Sequence, residues 1–213
     1  MASAPNRCGA EDGKAQMKDR IFFPLAFLVA AGMVVLAVSP GIGRLPSGAL
    51  TGDGQHYDRI TVSDTYLNKI IAGGNAVTRL QKGQSGRTEL YIEADADALD
   101  SAPELGPHFR LAADLELQFS GYRIRATVRA RPADDHGAMQ MQTNYSAGRV
   151  GNSGWQVFDL QPGFADYSFE YDVPLIEGDQ GVDYFAIRPV VPDKSRALVV
   201  ESVTFERLAR WTN

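Results

Sequence analysis

Four arginines alternate along one short stretch, Arg123, Arg125, Arg129 and Arg131, with Thr127 among them and Ile124, Ala126, Val128 and Ala130 at the intervening positions. In an extended chain that spacing puts every guanidinium on one face. A row of guanidinium forks can pair bidentately with carboxylate oxygens, including those of an acidic sugar. The same row also suits a solvated sheet face whose arginines pair with Glu116, Glu170 or Asp172 on neighbouring strands. Arg123, Arg125 and Arg129 are therefore candidate ligand residues, weighed against ordinary cross-strand ion pairs.

Aromatic residues form the second concentration. Trp155, Phe158, Phe164, Tyr167, Phe169 and Tyr171 fall within 17 residues. An exposed aromatic ring can take the apolar C–H side of a pyranose. Alternation puts Tyr167, Phe169 and Tyr171 on one side together, which reads as core. Trp155 and Tyr145 flank a loop at 146–154, where exposure would make them candidate ligand residues, weighed against the buried packing that aromatics mostly supply.

Acidic residues cluster at Glu93, Asp95, Asp97 and Asp100. Glycoside hydrolysis needs two carboxylates about 5–10 Å apart across a scissile bond. Glu93 and Asp95 are the candidates for such a pair, and an acidic strand end entering a solvated loop is the bland alternative. Asp95, Asp97 and Asp100 could offer oxygens to calcium, but the Gly-centred loop of a calcium hand is missing. His56, His108 and His136 are far apart, with no zinc-ligand spacing. No serine sits in G-x-S-x-G, and no phosphate-binding loop or dinucleotide fingerprint is present. No cofactor is expected.

The elements that must position these residues are strands. After residue 57 apolar and polar residues alternate, most clearly over 122–131. Further strands are expected at 57–63, 76–81, 88–94, 109–119, 138–145, 155–160, 166–173, 183–190 and 197–207. Turn-rich pieces at 82–86, 133–137, 146–154 and 177–181 separate several of them. Residues 64–72 suit one short helix with Asp64 as cap and Leu67, Ile70 and Ile71 on one face, while 95–108 reads as a loop. Many short strands joined by turns imply an antiparallel sandwich or barrel.

The N-terminus is of another kind. Residues 21–38 carry no charge over 18 positions, a helix of about 27 Å against a hydrocarbon core of about 30 Å. Pro24 is expected in the first turn of that helix. Ala37, Val38 and Ser39 resemble a signal-cleavage site, but Pro40 follows and opposes cleavage, so a retained anchor is expected. Arg7, Lys14, Lys18 and Arg20 precede the run and only Arg44 follows closely. The positive-inside rule then keeps the N-terminus in the cytoplasm and the rest outside. The expected organisation is a cytoplasmic tail at 1–20, a transmembrane helix at 21–39, a Gly/Pro/Ser-rich linker at 40–56 and one domain at 57–210.

The whole chain has a net charge of −5. Subtracting the four basic and three acidic residues before position 40 leaves 17 Lys+Arg against 23 Asp+Glu. An acidic body repels phosphate backbones, so no nucleic-acid partner is expected. The only cysteine, Cys8, precedes the apolar run, so the body forms no internal disulfide.

A family resemblance is carried by residues 122–207. The segments YRIRATVRARP, GAMQMQT, SGWQVFDLQPGFADYSFEYDVP, DYFAIRPVV and ALVVESVTFERL follow one another in an order that resembles carbohydrate-binding-module-like (galactose-binding-like) jelly rolls. The resemblance implies an all-β antiparallel jelly-roll sandwich, here preceded by the single transmembrane helix. The acidic pair usual in the last strand is represented only by Glu201 and Ser202, so a structural calcium is not implied. The segment from Glu93 to Asp97 separately resembles the E-x-D-x-E strand of a jelly-roll glycosidase family, with Asp in the third acidic place and a much smaller domain.

The expected function is a membrane-anchored, extracytoplasmic binding module for a glycan or envelope polysaccharide, an accessory to its synthesis, export or attachment. A protein–protein scaffold in an envelope membrane complex is the alternative, and a small glycan-active hydrolase on Glu93 and Asp95 the third. The cytoplasmic (inner) membrane, with the C-terminal domain periplasmic, is the expected location.

Overall fold

The computed structural model describes residues 12–38, 44–96, 102–176, 178 and 181–211, with side chains of the first helix described from Ile21 to Ala37. Two compact units result, Met1–Arg44 and Leu45–Asn213.

The first unit contains helix α1, Asp12–Val38. Leu, Ala, Phe and Val dominate it, and its apolar side chains are exposed, Phe27 at 73% and Leu36 at 78%. Because the helix starts at Asp12, Pro24 lies inside it rather than in its first turn, where it removes one backbone hydrogen bond. Over the described residues, no helix is long and apolar enough to cross a membrane. The described side chains number 17, and the uncharged run continues to Val38 in the sequence.

The second unit is a two-sheet β-sandwich. The larger sheet comprises β1 (Arg59–Ser63), β2 (Val77–Lys82), β3 (Thr88–Ala94), β5 (Tyr122–Pro132), β8 (Ala165–Asp172) and β10 (Arg196–Arg210). The smaller comprises β4 (His108–Arg110), β6 (Gln140–Ser146), β7 (Gln156–Asp159) and β9 (Tyr184–Pro189). Spatial order is β2-β3-β10-β5-β8 in the first, with β1 also on β10, and β4-β9-β6-β7 in the second. The named strand pairs are all antiparallel.

Strand β10 organises the larger sheet. Its first half pairs with β3 and its second half with β1, while β5 runs along its other side. Leu198 and Val200 face the core, and so do Val203 and Phe205, which have the opposite parity. A register shift between Val200 and Ser202 reconciles them: Glu201 is the extra residue of a β-bulge, and it resets the phase. Inward residues of both sheets, among them Ile124, Val128, Met141, Tyr145, Phe185 and Phe205, share one core.

Three sequence expectations change. Residues 109–119 are not one strand: after β4 the period lengthens, and Ala113–Phe119 forms helix α2, with Leu115 and Phe119 buried one turn apart. The helix expected at 64–72 is a shorter 3-10 helix, Asp64–Lys69. Residues 45–56, read as linker, belong to the sandwich unit. Leu50 is buried and its N–H donates to the Arg110 carbonyl at 2.7 Å, while Gly52 N–H donates to Asp114 Oδ2 at 2.8 Å. An apolar anchor and two backbone bonds thus tie the segment down. Residues 39–43 and 1–11, the latter including Cys8 and most of the tail expected in the cytoplasm, lie outside the described residues.

Candidate functional site

The outer face of the larger sheet carries the arginine row. Arg123 Nε and Nη2 donate to both oxygens of Asp172 at 2.7 and 2.8 Å. Arg125 Nη2 donates to Glu170 at 2.7 Å. Arg129 bridges Glu201 at 2.5 Å and Asp166 at 3.2 Å. These bonds hold the three guanidinium pKa values above the ordinary arginine range and lower Asp172. Arg123, Arg125 and Arg129 therefore form an internal ion-pair ladder with β8 and β10. Such a ladder has its forks already filled, and exposed pairs of this kind add little stability. Glu116, the third acid considered, instead accepts the Asp183 N–H at 3.0 Å.

Tyr145 is fully buried, contrary to the exposure expected beside its loop. Odd positions of β6 face inward, so its ring packs near Tyr171 and Phe205. Its hydroxyl donates to Asp183 Oδ2 at 2.7 Å, and burial with that carboxylate raises the phenol well above its usual range. Tyr145 is a core residue and is removed from the ligand candidates.

Trp155 has another setting. It precedes β7 on the parity of Val157, which faces outward and is 53% exposed. Its ring is half-buried and lies 4.5 Å from the guanidinium carbon of Arg188, a cation–π distance. Arg188 lies on β9 directly opposite Gln142 of β6, and Asn144 lies opposite Ala186, so the three polar side chains share the outer face of the smaller sheet. His108 sits in the same row as Asn144, paired with Ala186 from β4 and edge-on to Tyr184 at 5.2 Å.

This face is unusually polar for its burial. Arg188, Gln142, Asn144, His108 and Ser146 are all buried. Gln142 Nε2 and Asn144 Oδ1 have no hydrogen-bond partner among the described residues. Leaving one such group dry and unpaired costs about 1–3 kcal/mol. Burial pushes the Arg188 guanidinium down to about 10, opposed by the charge of Glu104; it is still a cation at neutral pH. Burial also lowers His108, against the opposing pull of the Gly106 carbonyl. That carbonyl accepts from Nδ1 at 2.7 Å, which leaves Nε2 of the neutral ring as an acceptor.

A strap covers part of the face. Arg188 Nη2 donates to the carbonyls of Ala102 and Pro103 at 2.6 and 3.4 Å. Gly106 crosses the guanidinium so closely that a Cβ there would collide with it. Within the strap Leu105 is 58% exposed, while Gly106 and Pro107 are buried. Arg188, Gln142 and Asn144 were not singled out in the sequence. The available signal was an arginine inside the apolar run DYFAIRPVV and amides alternating through MQMQTNY.

The acidic candidates do not converge. Glu93 accepts from the Tyr91 hydroxyl at 2.9 Å on the outer face of β3, and Asp95 is exposed at its end. Neither lines a cavity described for the sandwich. Asp97 and Asp100 lie outside the described residues, and among those described no three His, Cys, Asp or Glu side chains group to hold a metal.

No protein-family model matches the sequence, and no curated protein matches it. Solved carbohydrate-binding modules are similar in structure. A xylan-binding family 22 module from Paenibacillus barcinonensis matches with a TM-score of 0.48 at 10% identity, covering 70% of this chain and 94% of that one. The C-terminal family 22 module of a Clostridium thermocellum xylanase gives 0.46 at 10% identity, covering 76% and 92%. The C-terminal family 6 module of a marine laminarinase from Zobellia galactanivorans gives 0.37 at 7% identity, covering 70% and 98%. All three scores lie below 0.5 at 10% identity or less, so these matches assign this chain neither a family nor a ligand. Likeness at this level leaves the ligand to be argued from the site itself.

Proposed function

We propose that this chain is a glycan-binding module held at a membrane by α1, and that the outer face of the smaller sheet is its binding face. One observation carries the reading: the buried, unpartnered amide atoms of Gln142 and Asn144 beside the stacked pair of Trp155 and Arg188. Amide, guanidinium and imidazole groups offer both donors and acceptors to vicinal hydroxyls, and Trp155 offers a ring face to sugar C–H groups. A sugar that supplies the missing partners recovers the cost of burying them. Full access requires the outer part of the strap, 102–105, to lift, where Arg188 is held by the carbonyls of Ala102 and Pro103.

Membrane attachment rests on the uncharged run and the exposed apolar side chains of α1. With four basic residues before the run and Arg44 alone soon after it, the sandwich lies on the extracytoplasmic side. There it would serve polysaccharide synthesis, export or attachment.

Affinity electrophoresis tests the binding reading. Full-length protein in mild detergent is run through gels containing xylan, β-glucan or an envelope polysaccharide extract. Wild type should be retarded by at least one of them, Trp155→Ala should migrate as in a plain gel, and Arg188→Lys should be intermediate. Equal retardation of wild type and Trp155→Ala would remove this face from the proposal.

A further inference from the structure

The opposite side of the sandwich carries a second concavity. Beside the arginine ladder, a cavity of about 380 Å³ opens where β3, β5 and β10 meet the turn before β8. Glu89, Arg131, Asp134, Pro162, Phe164 and Glu201 line it, with Gln84 and Ser85 on the rim.

Glu89 sets it apart from an ordinary polar surface. The residue is 2% exposed, yet its Oε2 has no hydrogen-bond partner among the described residues. The nearest guanidinium nitrogen, Arg131 Nη2, is 3.8 Å away, close enough for attraction but too far for a hydrogen bond. Its Oε1 is pressed under the turn at Gly83, where any Cβ would collide with it. The carboxylate is therefore fixed by its surroundings, and its Oε2 still lacks a donor among the described residues. Arg131 is held by Asp134 at 2.7 Å. Glu201, the bulge residue of β10, is held by Arg87 at 3.0 Å and by Arg129. The polar groups are thus preorganised rather than free to collapse.

Phe164 supplies the apolar wall with Pro162. Its ring is half-buried on Tyr91, Ala133, Ala197 and Val199, with the Arg131 guanidinium 5.2 Å from its centre. Three carboxylates and one guanidinium line it, and Arg87 and Arg129 neutralise Glu201 from outside. No excess positive charge therefore draws an anionic ligand, while the unpartnered Glu89 oxygen favours a group that donates a hydrogen bond. The volume is at the low end for small-molecule sites, which run from about 300 to 1,000 Å³. Glu201 also lines an adjoining cavity of about 370 Å³ with Thr61, Arg129 and Ser202. A furrow of hydroxyl and guanidinium groups therefore leads away along β10.

We propose that this cavity is a second carbohydrate subsite, which takes a neutral sugar unit with its hydroxyls on Glu89 and Arg131 and its ring against Phe164. The proposal shares its ligand class with the reading above but uses no residue of the Trp155 face. A module with a site on each sheet would hold two segments of polysaccharide at once.

Isothermal titration of the full-length protein in detergent with xylohexaose, cellohexaose and chitohexaose tests it, with trigalacturonic acid as the anionic control. Three variants are compared: Glu89→Gln, which keeps the shape; Gln84→Trp, which fills the mouth from an exposed rim position; and Trp155→Ala. Thermal melts confirm that each is folded. At least one neutral hexasaccharide should bind twice per chain, with one event weakened about tenfold by Glu89→Gln and abolished by Gln84→Trp. Loss of the other event in Trp155→Ala would keep both sites. A single event removed by Trp155→Ala and untouched by Gln84→Trp would overturn this inference and leave the first face standing. A single event with the reverse pattern would support it and remove the first face. Preference for trigalacturonic acid, or no neutral sugar binding, would overturn it.

Discussion

Asp183 has no exposed surface, and among the described residues only one of its carboxylate oxygens is bonded, to the Tyr145 hydroxyl. Burial pushes its pKa up to about 6, opposed by that hydrogen bond and assisted by the charge of Glu116. A carboxyl whose folded pKa lies above its unfolded value of 3.8 binds more protons folded than unfolded between the two. Stability must then fall as pH rises through that window, by up to about 3 kcal/mol once ionisation is complete. Thermal melts from pH 4 to 7 should show Tm declining for wild type and nearly level for Asp183→Asn, after correction for the rest of the titration. Tyr145→Phe removes a bond that favours the charged form and so raises only the folded pKa, and its decline should continue to higher pH than that of wild type. A wild-type profile parallel to that of Asp183→Asn would refute the assignment. This cluster could not be read from the sequence. Tyr145 looked available because it borders a loop, but its parity on β6 turns it inward, and Asp183 meets it only through the fold.

At the scale of elements, β10 joins three strands, and its bulge decides which residues face the core. Deleting Glu201 would remove the phase reset, throwing either the Leu198–Val200 half or the Val203–Phe205 half onto the wrong face. Such a deletion should abolish cooperative unfolding in thermal melts. Glu201→Ala keeps the backbone count, so it should fold with a lower Tm because Arg87 and Arg129 lose a shared acceptor. Arg123→Ala breaks only an exposed pair and should leave Tm essentially unchanged. Similar behaviour of the deletion and Glu201→Ala would show that the bulge is dispensable. Alternation made most strands legible, including β5 with its ladder. It failed over 109–119 because Phe109 and Leu111 alternate like a strand before Leu115 and Phe119 continue at helical spacing. The proposed face of the smaller sheet was hidden for a related reason: β6 and β9 are buried on both faces, so Gln142, Asn144 and Arg188 read as strand filler rather than as a set.

For the whole molecule, the decisive contrast is between an acidic sandwich unit and a helix whose apolar side chains are exposed among the described residues. Water is a poor solvent for the latter: Phe22, Phe23, Phe27, Leu28 and Leu36 each expose more than half of their surface. Lipid would cover that surface without any protein partner, and a bilayer needs only a few more residues than the described 17. Full-length protein should therefore sediment with membranes, resist alkaline carbonate and require detergent for release. Phe27→Arg with Val29→Arg places two charges near the helix centre, at about 2.5–3.5 kcal/mol each on insertion scales. That double variant should shift the chain to the soluble fraction, whereas the same pair of substitutions at Thr51 and Gln55 should not. Protease added to the extracytoplasmic side should digest the sandwich and spare the first twenty residues. Digestion from the cytoplasmic side alone would reverse the orientation, and unchanged sedimentation of the double variant would mean that the sandwich itself, rather than α1, holds the protein to the membrane.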